Sequence, residues 1–283
     1  MAERRVAIAM AIEKVAPGDV LGQWLELLRR TYWPGPIFKL RPAYIVQARN
    51  GLTKQALLRG DWDDLLWVDS DILPDTGLPS RIAELVERSD YNASTGGVIC
   101  GAYYGREYPF EVQLYNQHPE LEGLQFIHPS RWLPALAHSK RCYEAHQSAP
   151  LLPCGGGGTG LMLIRRDVLE RMAQMKGPGA IWETPALEPA LAERVRAGGD
   201  ERDHWTEDVW FCVEVNKRLG VQVMADTDFR FSGAHENYDR IGPQHYIASH
   251  TMPPGYEDRP LKLPQGYQVI QPNRAARRRA AAQ

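Results

Sequence analysis

The stretch Leu65-Leu66-Trp67-Val68-Asp69-Ser70-Asp71-Ile72 decides the fold and indicates where the chemistry lies. Its first four residues are apolar and predict a short buried strand. Asp69 and Asp71 follow where that strand ends, and in extended backbone residues i and i+2 point to the same side. Two convergent carboxylates suit a hard dication such as Mg²⁺ or Mn²⁺, which prefers oxygen ligands and often shares them with substrate phosphates. The alternative is a polar strand end that leads into the turn Leu73-Pro74-Asp75-Thr76-Gly77.

The overall composition excludes several classes of protein. The 283 residues are 43% hydrophobic and 24% charged, which is typical of a globular protein. The formal net charge of −2 argues against a nucleic-acid partner or attraction to an anionic membrane. The four cysteines are widely spaced and form no Cys-x-x-Cys motif, which predicts a reducing compartment without disulfides. No apolar run reaches the length of a membrane span, so we expect a cytoplasmic protein.

Strand and helix patterns alternate through the first half of the chain. We predict strands at residues 5–12, 43–47, 65–68 and 98–104, with helices at 19–30, 52–58 and near 82–86 between them. This alternation predicts an α/β fold with a mainly parallel sheet. In open α/β sheets ligands bind outside the carboxyl ends of the strands. Asp69 and Asp71 lie at such an end, and Arg49-Asn50 follow the second predicted strand.

The second half of the chain has weaker patterns. Residues 108–153 are rich in Tyr, His, Pro and Trp and predict long loops with short antiparallel strands at 110–115 and 124–128. The glycine run Gly155 to Gly158 lacks the Lys-Ser/Thr of a phosphate-binding loop and precedes a predicted strand at 161–164. It is either backbone that lies close under a ligand or a flexible connector. Helices at 166–175 and 207–219 and strands at 221–225 and 229–235 follow.

An acidic triplet and a terminal imidazole are further candidates. Thr206-Glu207-Asp208 begins the second of these helices, where Thr206 suits the N-cap and the acids suit the helix dipole. The same carboxylates suit a general base for an incoming hydroxyl, and the two tasks are compatible. His235 ends the last predicted strand. It is either a structural histidine or a third metal ligand, if the fold brings it beside Asp69 and Asp71.

Two other patterns are weaker. His138, Cys142 and His146 have helical i, i+4, i+8 spacing and, with Cys154, would make a Zn²⁺ site, but the spacing fits no common zinc motif. The basic tail at residues 274–283 is either a solvated end or a contact for RNA or acidic lipid.

Four motifs, in this order, resemble those of a GT-A-type glycosyltransferase similar to family 2. They are Gln47-Ala48-Arg49-Asn50, the DxD motif Leu66-Trp67-Val68-Asp69-Ser70-Asp71-Ile72, Gly157-Gly158-Thr159-Gly160 with the strand after it, and Thr206-Glu207-Asp208-Val209-Trp210-Phe211-Cys212 followed by Gly233-Ala234-His235. The resemblance covers residues 5–235. It implies a GT-A fold in one catalytic domain over residues 1–250, with a nucleotide-binding part to about residue 105, an acceptor part from about 106, and a C-terminal extension at 251–283.

The resemblance also implies an activity and a site. The activity is metal-dependent transfer of a sugar from a UDP- or GDP-sugar to a hydroxyl acceptor, with Mn²⁺ or Mg²⁺ as cofactor. The residues implied are Asp69, Asp71 and His235 for the metal, Asp208 with Glu207 for catalysis, and Arg49, Asn50, Ser70, Gly157 and Gly158 for the donor. Aromatic rings stack on sugars, so Trp205 and Tyr143 are assigned to the acceptor, and Trp132 and Tyr115 are further candidates.

Two alternatives to a glycosyltransferase remain open at this stage. A nucleotidyltransferase also uses metal-bound carboxylates, but it usually carries a glycine- and lysine-bearing loop after the first strand. Here residues 13–19 contain only Lys14 and Gly18 of that kind. A non-catalytic module that binds a nucleotide or a sugar is the second alternative. The first strand ends in Met10-Ala11-Ile12-Glu13 without the polar residue often found there, which leaves the choice between UDP and GDP open.

Overall fold

A seven-stranded sheet lies at the centre of the computed structural model, which describes residues 4–11, 37–40, 45–104, 112–117, 124–126, 129–145, 147–184 and 206–235. From one edge to the other its strands are β2 (Ile37–Leu40), β1 (Val6–Ala11), β3 (Asp64–Asp69), β11 (Leu161–Arg165), β5 (Val98–Cys100), β12 (Val223–Asp226) and β9 (Leu151–Pro153). β11 and β9 run antiparallel to their neighbours, and the other strands share one direction. The predicted α/β fold with a mixed, mainly parallel sheet is therefore confirmed.

Helices cover both faces of this sheet. They are α1 (Ile45–Arg59), α2 (Leu78–Val86), α3 (Ser89–Asn92), α4 (Pro129–Glu144), α5 (Arg166–Lys176) and α6 (Glu207–Leu219). Successive side chains of a strand point to opposite faces, so Leu65 and Trp67 join the apolar cluster under α1, α5 and α6. Leu66 and Val68 join the cluster under α2. Burial on both faces explains why the strand is continuously apolar.

Two small sheets complete the described part. The first contains β4 (Ile72–Pro74), β13 (Ser232–His235) and β6 (Ala102–Tyr103). Because these strands follow β3, β12 and β5 along the chain, this sheet lies at the carboxyl ends of the central strands. The second is an antiparallel ribbon of β10 (Gly156–Gly157), β7 (Leu114–Gln117) and β8 (Leu124–Phe126). Both small sheets therefore frame the edge where the sequence places its carboxylates.

The prediction of a strand at residues 43–47 is wrong. Ile45 begins α1, and the strand that precedes it is β2. The run Ile45-Val46 suggested a strand, but the buried positions Ala48, Leu52 and Ala56 repeat at helical spacing and decide the structure. Arg49 and Asn50 therefore lie in the first turns of a helix and not at a strand end.

Four other segments differ from the sequence-based expectation. The strand expected at 229–235 begins only at Ser232, because Phe229–Phe231 form a 3₁₀ turn before β13. Residues 129–144 form α4 although a proline interrupts their pattern. Residues 73–77 were expected to be a turn, but residues 73–74 belong to β4, which pairs with β13, and only residues 75–77 form the turn. The strand expected at 98–104 divides at Gly101 between two sheets, where a Cβ atom would lie 2.7 Å from the carbonyl oxygen of Phe231.

Several expectations fall outside the described residues, namely the helix at 19–30, Trp205, His146 and the extension at 251–283. In the part of the chain that is described, no helix combines the length and the apolar character needed to cross a bilayer.

Candidate active site

The carboxyl end of β3 places Asp69 and Asp71 at the edge where the first small sheet begins. Asp69 is the last residue of β3 and is paired with Ala11 of β1. Its backbone N–H donates to the carbonyl of Gly160 at 3.4 Å. Ser70 and Asp71 form the half-buried turn that connects Asp69 to β4. Both carboxylates are thus carried by a central strand and its following turn, as the sequence predicts.

β13 brings His235 to the same place. β13 pairs antiparallel with β4, and His235 lies opposite Ile72, the residue after Asp71. Neighbouring strands are about 4.8 Å apart. The backbone of His235 is therefore adjacent to the aspartate pair, which is compatible with a role in metal binding. The role itself stays a prediction.

The start of α6 is anchored through Asp208. Its Oδ2 accepts a hydrogen bond from the backbone N–H of Thr159 at 3.0 Å, and its Oδ1 accepts from the backbone N–H of Val209 at 2.8 Å. The hydroxyl of Thr206 also donates to Oδ1. Thr206 makes no side-chain cap of the helix, so the capping role expected of its hydroxyl is not seen. The hydroxyl instead helps to fix Asp208 against the segment after the glycine run.

Arg49 joins the two groups of acids. Its Nη2 lies 3.3 Å from Oδ1 of Asp69, and its Nη1 donates to Oε1 of Glu207. The same Nη1 is 3.8 Å from Oδ2 of Asp208. Arg49 is 4% exposed, and Glu207 and Asp208 are also buried. The aspartate of β3 and the acids of α6, which lie far apart in sequence, therefore form one cluster around a single guanidinium.

The cluster is electrostatically costly to keep ionised. Burial raises the pKa of the Asp69 carboxyl, Arg49 lowers it, and the negative charges of Asp208 and Asp71 raise it further. Burial likewise raises the pKa of Glu207, against the lowering effect of Arg49. Among the described residues that these interactions name, Asp69, Glu207 and Asp208 lie within 4 Å of the Arg49 guanidinium, and Asp71 adds a further negative charge beside Asp69. Such an excess of negative charge favours the approach of a cation.

The side-chain oxygens available here suit a divalent cation that is bound partly by the protein and partly by a substrate. Within the described ranges no three acidic, imidazole or thiol side chains are grouped closely enough to make a complete metal cage. Mg²⁺ is commonly held by one or two carboxylates, with phosphate oxygens and waters filling its other positions. Asp69 and Asp71 supply oxygen ligands of that kind at an accessible edge. The residues present thus fit a metal that binds together with a diphosphate.

Asn50 is engaged by the protein itself. Its Nδ2 donates to the carbonyl of Trp182 at 2.6 Å, and its Oδ1 accepts from the backbone N–H of Trp182 at 2.9 Å. The indole N–H of Trp182 donates to the hydroxyl of Thr53 at 2.8 Å. The guanidinium carbon of Arg49 lies 5.8 Å from the centre of the Trp182 ring. Asn50 therefore holds Trp182 in place beside Arg49.

The glycine run has a packing reason. Gly157 pairs with Leu114 across the ribbon, and the N–H of Gly158 donates to the carbonyl of Gln113 at 3.3 Å. A Cβ on Gly157 would lie 2.8 Å from Cβ of Cys100 and 2.9 Å from Cδ2 of Leu114. The glycine run is therefore not a flexible connector, because Gly156 and Gly157 are paired in the ribbon. Close packing of the ribbon on the central sheet requires glycine at residue 157, whether or not the run also binds a ligand. Donor binding by Gly157 and Gly158 stays a prediction.

Sequence reasoning assigned no role in the site to Thr159 or Trp182, and it suggested Tyr115 only as a further candidate for stacking on the acceptor. Thr159 binds Asp208 through its N–H, and its hydroxyl is 3.5 Å from Oδ1 of Asp69. Burial, and then the charge of Asp208, raises the pKa of the Tyr115 phenol. Thr159 had a signal in the quoted glycine motif. Trp182 had none, because it lies in a segment without periodicity.

The predicted aromatic residues for the acceptor differ in their surroundings. Trp132 is fully buried in the apolar cluster under α1, α5 and α6, which contradicts its suggested contact with a sugar. Tyr143 is 47% exposed on α4, and its ring lies 6.3 Å from that of Phe229. An exposed ring is available for stacking, so the acceptor role of Tyr143 stays a prediction, as does that of Trp205.

The structure does not assemble the zinc site considered above. Nε2 of His138 is 3.5 Å from Sγ of Cys142, as expected one helical turn apart. Cys154, however, lies beside Cys100, and contacts from Cys154 and Cys212 raise the pKa of the Cys100 thiol. The three predicted ligands that the structure describes are therefore divided between α4 and the residue that follows β9.

Comparisons with known proteins give only distant similarities. No protein-family model matches the chain, and no curated protein matches it. A197 from STIV matches 84% of this chain and 88% of its own, at 16% identity and a TM-score of 0.46. The mannosyltransferase PcManGT from Pyrobaculum calidifontis, solved with GDP-Man and Mn²⁺, matches 80% of this chain and 57% of its own at 12% identity and a TM-score of 0.40.

A third solved structure is glucosyl-3-phosphoglycerate synthase from Mycobacterium tuberculosis, in complex with Mn²⁺, UDP-glucose and glycerol 3-phosphate. It matches over 84% of this chain and 74% of its own, at 11% identity and a TM-score of 0.39. Similarities this distant carry no conclusion about the reaction of this chain.

Proposed function

We propose that this chain is a metal-dependent glycosyltransferase of GT-A type that moves a sugar from a UDP- or GDP-sugar to a hydroxyl acceptor. The observation that carries the proposal is the meeting of Asp69, Glu207 and Asp208 around Arg49. Sugar transfer needs cation-binding carboxylates beside the leaving diphosphate and, for an inverting reaction, a carboxylate base on the acceptor side. In this cluster Asp69 would supply the cation-binding carboxylate and the acids at the start of α6 would supply the base.

On the donor side Asp69 and Asp71 would hold the dication, and His235 would complete its protein ligands. When bound, Mn²⁺ or Mg²⁺ supplies Lewis-acid stabilisation of the charge that develops on the diphosphate. The support is the placement of both carboxylates in one turn and of the His235 backbone opposite Ile72. Ser70 lies between the two aspartates, and its hydroxyl and N–H are suited to donor oxygens.

The remaining donor residues have different kinds of support. Gly157 and Gly158 present backbone beside Thr159, which binds Asp208, and backbone without side chains permits close approach of a ligand. Arg49 lies next to Asp69 with its terminal nitrogens on protein carboxylates, so it would support the donor side by holding Asp69 in place. Asn50 would support the donor side through Trp182, because its amide already makes two hydrogen bonds to that residue.

On the acceptor side Asp208 would take the proton of the attacking hydroxyl. A carboxylate has about four sites for accepting hydrogen bonds, and Asp208 uses three of them for Thr159, Val209 and Thr206. These bonds fix its orientation and leave a site for the acceptor. Glu207 pairs with Arg49, which makes it less available as a base. Tyr143 and Trp205 would contact the acceptor through their rings.

The test is transfer and hydrolysis assayed with Mn²⁺ over a panel of UDP- and GDP-sugars, with product analysis. Release of a nucleoside diphosphate supports the proposal. Release of inorganic diphosphate from a nucleoside triphosphate would instead assign a nucleotidyltransferase. Nucleotide binding in calorimetry without metal dependence or turnover would assign a non-catalytic module. Asp69→Ala and Asp71→Ala should abolish turnover in folded protein, and unchanged turnover would reject their metal role.

A further inference from the structure

Arg49 is the point where donor-side and acceptor-side carboxylates meet. One arm of its guanidinium lies 3.3 Å from Oδ1 of Asp69, and the other donates to Glu207. A guanidinium presents its N–H groups in a rigid planar fork. Its two arms therefore fix the separation between the carboxyl end of β3 and the start of α6.

The guanidinium is itself held in place. It lies over the ring of Trp182 at 5.8 Å, a favourable cation–π distance. Trp182 is stacked on Phe211 of α6 with ring centres 4.4 Å apart, and it meets Trp67 of β3 edge-on at 5.4 Å. Asn50 and Thr53 fix the backbone and indole N–H of Trp182. A packed aromatic column thus links the same two elements that Arg49 joins electrostatically.

This environment differs from that of an arginine whose main task is to bind a ligand. Arg49 is 4% exposed, and both of its terminal nitrogens face protein carboxylates. A phosphate-binding arginine presents its fork to the ligand. To do that here, Arg49 would have to leave Glu207, a buried carboxylate that would then lack this charge partner. Such a loss is costly in a desolvated site.

We propose that Arg49 is a positioning residue that clamps Glu207 to Asp69, sets the position of Asp208 at the start of α6, and weakens capture of a bare dication at Asp69. This inference rests on the proposed function for its effect on turnover. Its effect on cation binding does not depend on which reaction the chain performs. A positive charge beside Asp69 repels a cation at that carboxylate, so the dication would bind well only with a diphosphate that adds negative charge.

Kinetics distinguish positioning from donor binding. Arg49→Met removes the charge and the fork while keeping much of the length, and Arg49→Lys keeps the charge alone. Arg59→Met is the matched control, since Arg59 lies on the same helix but is exposed and pairs only with Asp61 among the ion pairs of the described residues. For Arg49→Met we expect kcat to fall about 100-fold with the donor KM within about threefold, because misplacement of a reacting group mainly costs rate. Arg49→Lys should recover part of kcat.

Cation binding gives a readout that does not need turnover. Mn²⁺ alone, without nucleotide, is titrated into wild type, Arg49→Met and Arg59→Met and followed by electron paramagnetic resonance. Arg49→Met should bind Mn²⁺ at least about tenfold more tightly, because a neighbouring positive charge is removed. Asp69→Asn in the Arg49→Met background should abolish that gain. Arg59→Met should match wild type.

The paired variant Arg49→Met/Glu207→Gln covers the case in which Arg49→Met fails to fold. It removes both charges of the clamp, so the protein should melt close to wild type while kcat stays as low as in Glu207→Gln alone. If the kcat losses of Arg49→Met and Glu207→Gln add up in the paired variant, the clamp is overturned. It is also overturned if Arg49→Met raises the donor KM and retains kcat. The clamp would be overturned if Arg49→Met bound Mn²⁺ no more tightly than wild type. If only the paired variant folds, it would be overturned if that variant bound Mn²⁺ no more tightly than Glu207→Gln alone. Both comparisons hold even if no donor in the panel is a substrate. A different result would separate the two proposals. If wild type is inactive with every donor but Arg49→Met binds Mn²⁺ more tightly than wild type, the proposed function is rejected and the role of Arg49 in cation binding is kept.

Discussion

Arg81 donates two hydrogen bonds of 2.7 Å to the carboxylate of Asp226, and both side chains are completely buried. The pair connects α2 to the end of β12. Arg81 is also 3.7 Å from Asp228, which caps the 3₁₀ turn Phe229–Phe231 before β13. The strand that carries His235 is therefore anchored to the sheet through buried charges.

Arg81→Met should destabilise the protein by about 3–5 kcal/mol, because it leaves Asp226 buried without its main charge partner. Urea denaturation at pH 7 measures the change. Arg5→Met is a suitable control, since its pair with Asp63 is 3.7 Å long and about half-exposed. We expect that control to stay within about 1 kcal/mol of wild type. Equal effects of the two substitutions would show that the Arg81 network does not stabilise the fold.

Asp64 should make stability depend on pH. Burial raises its pKa to about 6, although it accepts hydrogen bonds from Arg4 and Tyr91. Because the folded pKa lies above the unfolded value of about 4, the folded state takes up this proton first as the pH falls. When the pH falls from 7 to 4.5, the free energy of unfolding of wild type should rise by about 2 kcal/mol relative to that of Asp64→Asn. Denaturation curves of both proteins across this range measure the gain, and parallel profiles would contradict the assignment.

Gly157→Ala should destabilise the protein by about 1–3 kcal/mol, because the added methyl group overlaps Cys100 and Leu114. Gly179→Ala is the matched control, since a Cβ there meets no atom within 4 Å. Melting temperatures of the two variants test the packing explanation of the glycine run. A stable Gly157→Ala protein would mean that the ribbon adjusts and that the glycine serves another purpose.

Asp208→Asn should lower kcat at least about 100-fold while nucleotide affinity stays within about twofold, because it removes the base but keeps an oxygen for the N–H of Thr159. Steady-state kinetics and calorimetry with the nucleotide and Mn²⁺ separate the two effects. Glu170→Gln, a half-exposed acid on α5, should retain full activity. A parallel loss of nucleotide affinity would assign Asp208 to binding or to the start of α6.

The sequence predicted the elements whose signals are local. β3 is a continuous apolar run that ends in two acids, and α6 begins at an acidic pair followed by helical spacing, so both were located nearly to the residue. Ile45-Val46 misled because β-branched residues favour strands locally, whereas burial of Ala48 and Leu52 decided for a helix. Local signals fail where tertiary packing chooses between two structures.

The contacts within the site were less predictable than its elements. The order of the motifs was enough to expect Asp69, Asp208 and His235 at one edge. The pairing of Arg49 with Glu207 and of Asn50 with Trp182 depends on how α1 packs against residues far along the chain. Helical spacing identifies which face of α1 is buried, but it does not identify the partner of each side chain.

The pairing of β4 with β13 limits how this protein can be dissected. A fragment that stops before Ser232 would keep both aspartates but leave the backbone of β4 without the strand that it pairs with. An unpaired strand edge invites self-association. Attempts to express residues 1–105 by themselves should therefore yield aggregates, and a permuted or split version would need to keep residues 72–74 and 232–235 together.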